Sequence, residues 1–166
     1  MTEIKRATAI ATAFLAPALA AAAAGTAKGT FTVQGKPSKL AYAYASARAD
    51  SMDKTKEEIR VILSDVPLDA TVLDDPSPFG LQDLTKANKL RGIRFLIGPS
   101  KNVISTSLYD SAFKMDSVSA AGTDIKLDVQ TLDKTKVAGR LYTAKPLEFN
   151  GVPYEYNVSF DAPIKR

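Results

Sequence analysis

The chemistry open to this sequence is that of carboxylates, hydroxyls, lysine and arginine, because it contains no histidine and no cysteine. A Ser-His-Asp triad, a His–carboxylate dyad and any His- or Cys-based metal site are thereby excluded. A serine activated by lysine remains possible. Ser105, Ser107, Ser111, Ser117 and Ser119 crowd the stretch NVISTSLYDSAFKMDSVSAAG, and Ser111 to Lys114 matches S-x-x-K once. The S-D-N and K-T-G elements that accompany that pattern in acyl-transfer enzymes are missing, as is G-x-S-x-G. The match therefore reads as a surface loop, and no catalytic residue is assigned.

Carboxylates offer a second route. Asp65, Asp69, Asp74 and Asp75 lie close together in sequence, and calcium is held by several oxygen ligands of this kind. Their spacing is not that of a calcium loop. Asp74-Asp75-Pro76 reads more simply as a turn or helix boundary, so no metal ligand is assigned. Nothing in the sequence sets two carboxylates at the fixed separation that glycoside hydrolysis requires.

Aromatic and cationic side chains give the binding candidates. Tyr42 and Tyr44 share one strand face and Tyr154 and Tyr156 share another, with Arg48, Arg94 and Arg140 also on strands. Around a pocket, inward tyrosines would stack on a ligand while a strand arginine gripped an anionic group. Tyr42, Tyr44, Arg48, Tyr154 and Tyr156 are the ligand-binding candidates on that reading, and no cofactor is expected. The competing reading places the tyrosines in the core with their hydroxyls at its rim.

The elements that must position these residues are strands. From Gly29 onward the apolar period is two: Phe31 and Val33; Leu40, Tyr42 and Tyr44 opposite Ala41, Ala43 and Ala45; Ile59, Val61 and Leu63; Ile93, Phe95 and Ile97. NVISTSLYD, DIKLDVQ, KVAGRLYTA and YEYNVSF continue it. About eight half-buried strands follow from this alternation. The fold class is all-β, an antiparallel barrel or sandwich. The alanines beside the tyrosines predict a face that a covering element approaches closely. Asn150-Gly151 predicts a tight hairpin. Leu81, Leu84 and Asn88 recur at helical spacing ahead of Gly92, so one short covering helix is expected from about Pro78 to Lys89, with a helical turn near Leu68 to Leu73. The stretch Asp-Lys-Thr-Lys occurs at Asp53 and again at Asp133, each time before an alternating segment. A decayed duplication would produce this pattern, but two solvated turns entering strands account for it more simply.

The N-terminus sets the compartment. Lys5 and Arg6 precede a stretch without charge, rich in alanine and reaching Ala27, and its small residues offer several A-x-A cleavage points. This is the layout of a secretory signal peptide. Residues 1–24 are expected to be the leader and residues 25–166 one all-β domain, periplasmic or extracellular and without a membrane span after cleavage. Loss of Glu3, Lys5 and Arg6 lowers the formal charge from +4 to about +3. With both signs interspersed, nucleic acid is not an expected partner, whereas anionic polymers of the envelope are compatible with it. Without cysteine, no disulfide contributes to stability.

GTFTVQGKPSKLAYAYA, DKTKEEIRVILSDVPL, SLYDSAF with KMDSVSAAG, and VAGRLYTAKPLEFNGVPYEYNVSFDAPI resemble a group of uncharacterised exported bacterial proteins with a β-rich domain. The resemblance covers most of the chain after the leader and implies export and one domain; it transfers no site residue. The functional expectation is an exported binding or interaction module of the envelope that takes an unidentified small molecule or envelope component. The alternatives are an envelope enzyme using carboxylate, tyrosine or lysine chemistry, and a structural protein that binds its partner through a sheet edge. The missing catalytic motifs weigh against the enzyme.

Overall fold

The structure, a computed structural model, describes residues 24–50, 53–75, 77–115, 117–120 and 122–166. Apart from Ala24, the leader expected from the sequence lies outside the described residues. Ten strands are present: β1 (Gly25–Val33), β2 (Lys36–Ala49), β3 (Glu57–Ser64), β4 (Gly92–Ile97), β5 (Val103–Tyr109), β6 (Val118–Ala120), β7 (Ile125–Leu132), β8 (Lys136–Thr143), β9 (Leu147–Phe149) and β10 (Val152–Lys165). Two short helices, α1 (Ala70–Asp74) and α2 (Phe79–Lys86), lie between β3 and β4.

The strands form one curled sheet, a half-barrel, in the order β6-β5-β4-β3-β2-β1-β10-β8-β7, with β9 paired to β10. Pairing is antiparallel throughout except where β2 and β10 run side by side, Ile164 on Ala45 and Lys165 on Ser46. The all-β antiparallel class expected from the alternation is what forms. β6 and β9 add to the eight strands read from the sequence; at three residues each, they are too short for a period of two to show.

Two turns have the backbone that tight hairpins demand. Gln34 and Gly35 have φ of 51° and 72°, and Asn150 and Gly151 have 48° and 77°. Positive φ at both central residues matches the right-handed twist of the flanking strands. The second turn pairs Phe149 with Val152, as the Asn-Gly signal predicts.

Both Asp-Lys-Thr-Lys stretches are turns of one kind. Asp53 Oδ1 accepts from the Thr55 N–H at 3.1 Å and from the Thr55 hydroxyl at 2.6 Å. Asp133 Oδ1 accepts from the Thr135 N–H at 2.7 Å, the Thr135 hydroxyl at 2.9 Å and the Lys136 N–H at 2.9 Å. An aspartate bonding its own backbone two residues on is a standard way to reverse a chain. The two turns lead into β3 and β8 at the same end of the sheet, where Arg166 Nε donates to the Lys134 carbonyl at 2.6 Å and Arg166 Nη1 to Glu57 at 2.8 Å.

The inner face of the curl holds the main core, which includes Phe31, Val61, Ile93, Phe95, Leu108, Leu141, Val158 and Phe160. Phe95 of β4 meets Phe160 of β10 edge to face, with ring centroids 5.4 Å apart. Opposite arms of the sheet therefore touch through their side chains. A second cluster lies on the outer face, where Leu68, Leu73, Leu81 and Leu90 of the helical segment cover Tyr44, Ile62 and Tyr109.

Here the structure corrects the expected faces of β2. The β1–β2 register shifts between Thr26 and Gly29, and the phase of β2 changes with it: Leu40, Ala43 and Ala45 are all in the inner core, whereas Tyr42 and Tyr44 pack in the outer cluster. A one-residue slip moves every following side chain to the other face. The covering helices consequently lie on the tyrosine face. The small alanines face inward, where β2 and β10 converge.

Gly139 of β8 is required by close approach: a Cβ there would come within 2.5 Å of the Asp128 carbonyl oxygen. Gly139→Ala is expected to lower stability by about 1–3 kcal/mol, the usual cost of overpacking, as read by urea denaturation. Hydrogen bonds to Asp53, mainly from the Thr55 hydroxyl, and to Asp133, mainly from the Thr135 N–H, hold both carboxyls below their ordinary value of 3.8. A carboxyl depressed in the folded state adds stability that is complete above its unfolded pKa and is lost as pH falls through its folded pKa. Urea midpoints measured from about pH 6 to about pH 2 should fall as pH drops below the ordinary carboxylate value, and Asp133→Asn should flatten that decline.

Candidate functional site

The tyrosines named from the sequence sit on opposite faces of the sheet. On the inner face Tyr154 and Tyr156 stack on each other at 6.4 Å, Tyr154 lies edge-on to Phe113 at 5.9 Å, and Tyr156 meets Phe31 at 6.3 Å. Burial, and for Tyr156 the neighbouring Tyr154 as well, pushes both phenols above their ordinary value. On the outer face the Tyr44 hydroxyl accepts from the buried Leu68 N–H at 2.9 Å, which fixes the start of the helical segment. Tyr42 is half-buried at the margin of the same cluster. These four tyrosines pack; they do not line a common pocket.

The aspartates are committed to local bonds. Asp65 accepts from the Arg91 N–H and the Ser38 hydroxyl, Asp69 caps α1 through the Val72 N–H, and Asp75 accepts from the Ser77 N–H and hydroxyl. Among the described residues no group of three or more potential ligands could hold a metal ion. Ser111 and Lys114 lie on one 3-10 turn, joined by a backbone bond, with both side chains exposed.

Arg48 leads to the site. It lies near the end of β2, where the outer face of β2 and β3 meets α1 and the end of β10. A cleft of about 470 Å³ opens there, lined by Ser46, Ala47, Arg48, Arg60, Asp74, Lys165 and Arg166. Strand register places Ser46 opposite Arg60 and Arg48 opposite Glu58, and the parallel pairing of β10 with β2 brings Lys165 beside Ser46.

Three of the four cations in this cleft already face an acid. Arg48 Nε is 3.3 Å from the buried Glu58, Lys165 Nζ is 2.5 Å from Asp74, and Arg166 Nη1 is 2.8 Å from Glu57. Arg60 differs. Its guanidinium donates only to neutral oxygens: Ser46 Oγ at 3.2 Å, the Asp75 carbonyl at 2.9 Å and the Leu73 carbonyl at 2.5 Å. Two of these acceptors lie at the C-terminal end of α1, where unpaired carbonyls favour a cation. Burial, followed by the neighbouring Arg94 and Arg48 charges, holds the Arg60 guanidinium below its ordinary value against the opposing pull of Asp74 and Asp75. Arg94 donates to the Ser107 hydroxyl at 3.5 Å. Neither Arg60 nor Arg94 forms an ion pair among the described residues. Arg60 thus feels Asp74 and Asp75 only at a distance and has no carboxylate in direct contact, a place that an entering oxyanion would fill.

Arg140 is elsewhere, on the exposed side of β8, with its guanidinium 4.6 Å over the Tyr142 ring and Nε bonded to Asn157 at 2.8 Å. Arg60, Lys165 and Arg166 are the cleft cations that the sequence does not single out. Arg60 does alternate with Ile59 and Val61, which marks it as outward-facing, but its meeting with Ser46 and the end of β10 depends on pairing between distant segments.

The chain matches no protein-family model, no curated protein and no solved structure. Among the described residues no helix is long and apolar enough to cross a membrane. What the fold and cleft define is an all-β half-barrel with a cleft lined by arginines and a lysine on its outer face.

Tyr44→Phe would leave the Leu68 N–H buried without its acceptor. Its expected cost is about 1–3 kcal/mol in urea denaturation.

Proposed function

We propose that the protein is an exported binding module that holds an oxyanion-bearing component of the bacterial envelope in the cleft between β2, β3, α1 and the end of β10. The observation that carries this reading is the Arg60 guanidinium, half-buried, satisfied only by neutral oxygens and surrounded by Arg48, Lys165 and Arg166. The planar fork of an arginine suits phosphate and carboxylate alike. At about 470 Å³ the cleft falls within the size range of small-molecule sites. Export is supported by Lys5 and Arg6 ahead of the uncharged, alanine-rich stretch.

The test is a titration of the labelled protein with inorganic phosphate at low ionic strength, followed through its amide resonances. Saturable shifts at Ser46, Arg48 and Lys165 are expected, weakening with added salt as surface charges are screened. Lys165→Glu should reduce affinity about fivefold, in keeping with the ~1 kcal/mol of an exposed ion pair, while stability falls by no more than about the same amount through loss of the pair with Asp74. Parallel titration with acetate separates phosphate preference from general oxyanion binding. Shifts spread evenly over all surface lysines, or an unchanged affinity in Lys165→Glu, would refute the cleft.

A further inference from the structure

The chain has four asparagines, Asn88, Asn102, Asn150 and Asn157, and only Asn150 precedes a glycine. Asn150 and Gly151 form the tight turn between β9 and β10, and both are exposed. The turn leaves the asparagine open to attack by the backbone that follows it. Neither the Asn150 carboxamide nor the Gly151 N–H makes a hydrogen bond among the described residues. A Cβ on Gly151 would meet nothing within 4 Å, so no neighbour shields its nitrogen.

The strand before the turn is also weakly held. β9 has three residues and pairs, among the described residues, with β10 alone. Such a segment opens locally at lower free energy than the long strands around it. Asn157 is the contrasting case: it lies within β10 between β1 and β8, its Oδ1 accepts from Arg140 Nε at 2.8 Å, and Val158 follows it.

We propose that Asn150 is a site of spontaneous deamidation that remodels the β9–β10 turn without an enzyme. Once deprotonated, the Gly151 nitrogen attacks Asn150 Cγ. The new C–N bond closes a five-membered imide, the Cγ–Nδ2 bond breaks, and ammonia leaves. Water then opens the ring. Cleavage at Cγ restores the main chain with an aspartate, whereas cleavage at the backbone carbonyl carbon routes the main chain through Cβ and Cγ as isoaspartate. Water is consumed, the proton of the new carboxyl is taken up by the ammonia, and the turn gains a negative charge. No oxidant, reductant or cofactor enters.

The two products act differently on the fold. Asp-Gly suits the same turn as Asn-Gly, so aspartate keeps Phe149 opposite Val152. Isoaspartate adds a backbone carbon to the turn, which breaks that register. β9 then separates from β10, and Phe149 leaves the edge-to-face contact that it makes with Phe113 at 6.5 Å. The pairings of β10 with β1 and β8 do not involve β9 and persist.

The test holds the full chain in mildly alkaline buffer and follows it by peptide mass spectrometry, with electron-transfer fragmentation to separate isoaspartate from aspartate. The mass gain that replaces NH by O is expected at Asn150 well before Asn88, Asn102 or Asn157, with both isomers formed and a slower rate in mildly acidic buffer. Amides from Leu147 to Phe149 should lose exchange protection in the isoaspartate fraction alone. Asn150→Asp should show no mass gain at this position and keep that protection. The proposal is overturned if Asn150 reacts no faster than Asn102, or if aspartate forms without isoaspartate, which would mean direct hydrolysis. A native chain that stays unmodified while the urea-unfolded chain reacts would overturn it too, because the turn would then protect its asparagine.

Discussion

The contact of Phe95 with Phe160 sets the curl on which the other elements depend. These rings come from β4 and β10, strands separated by β3, β2 and β1 in the sheet, and they meet only because the sheet bends far enough to bury its own face. A strongly twisted sheet of this width buries that face by curling or by packing against a second layer. The side chains inside fit the taper. Large residues such as Phe31, Phe95 and Phe160 fill the body, and Ala43, Ala45 and Ala162 occupy the region where β2 and β10 close over the start of β1. With no cysteine in the chain, burial and backbone pairing carry its stability.

Filling the interior this way decides where recognition can occur. Tyr154 and Tyr156 are committed to ring packing with each other, Phe113 and Phe31 on the inner face. Polar and cationic residues are turned outward by the same alternation, and on the outer face of β2 and β3 they meet the helical segment. Arg60 serves two purposes there: it satisfies carbonyls at the end of α1 and gives the cleft a cation with no carboxylate in direct contact. The helical cover, placed by the bond from Leu68 to Tyr44 and anchored by Leu73 and Leu81, thus forms one wall of the cleft.

Much of the architecture could be read from residue order, because long alternating segments such as EEIRVILS and VPYEYNVSF report a buried face directly. The Asn150-Gly151 hairpin and the helix near Pro78 to Lys89 were accessible for the same reason: each is specified by adjacent residues. The phase of β2 was not. Leu40, Tyr42 and Tyr44 alternate without a break in the sequence, and the slip that separates them comes from pairing with β1. The cleft was half visible, since Arg48 stands out as a strand arginine. Its partners Arg60 and Lys165 acquire meaning only once β10 lies beside β2, a contact between residues more than a hundred positions apart.

The position of β10 bears on how the chain reaches its native state. It is last in sequence but central in the sheet, joining the strands from β1 to β6 on one side to β8 and β7 on the other. Until residues 152–165 are available, β1 and β8 each lack one of their two neighbours, and the inner core lacks Val158 and Phe160. Such long-range closure is slow, because loop entropy is lost before the contacts that compensate for it form. A chain synthesised from its N-terminus therefore stays without its finished sheet until β10 has emerged.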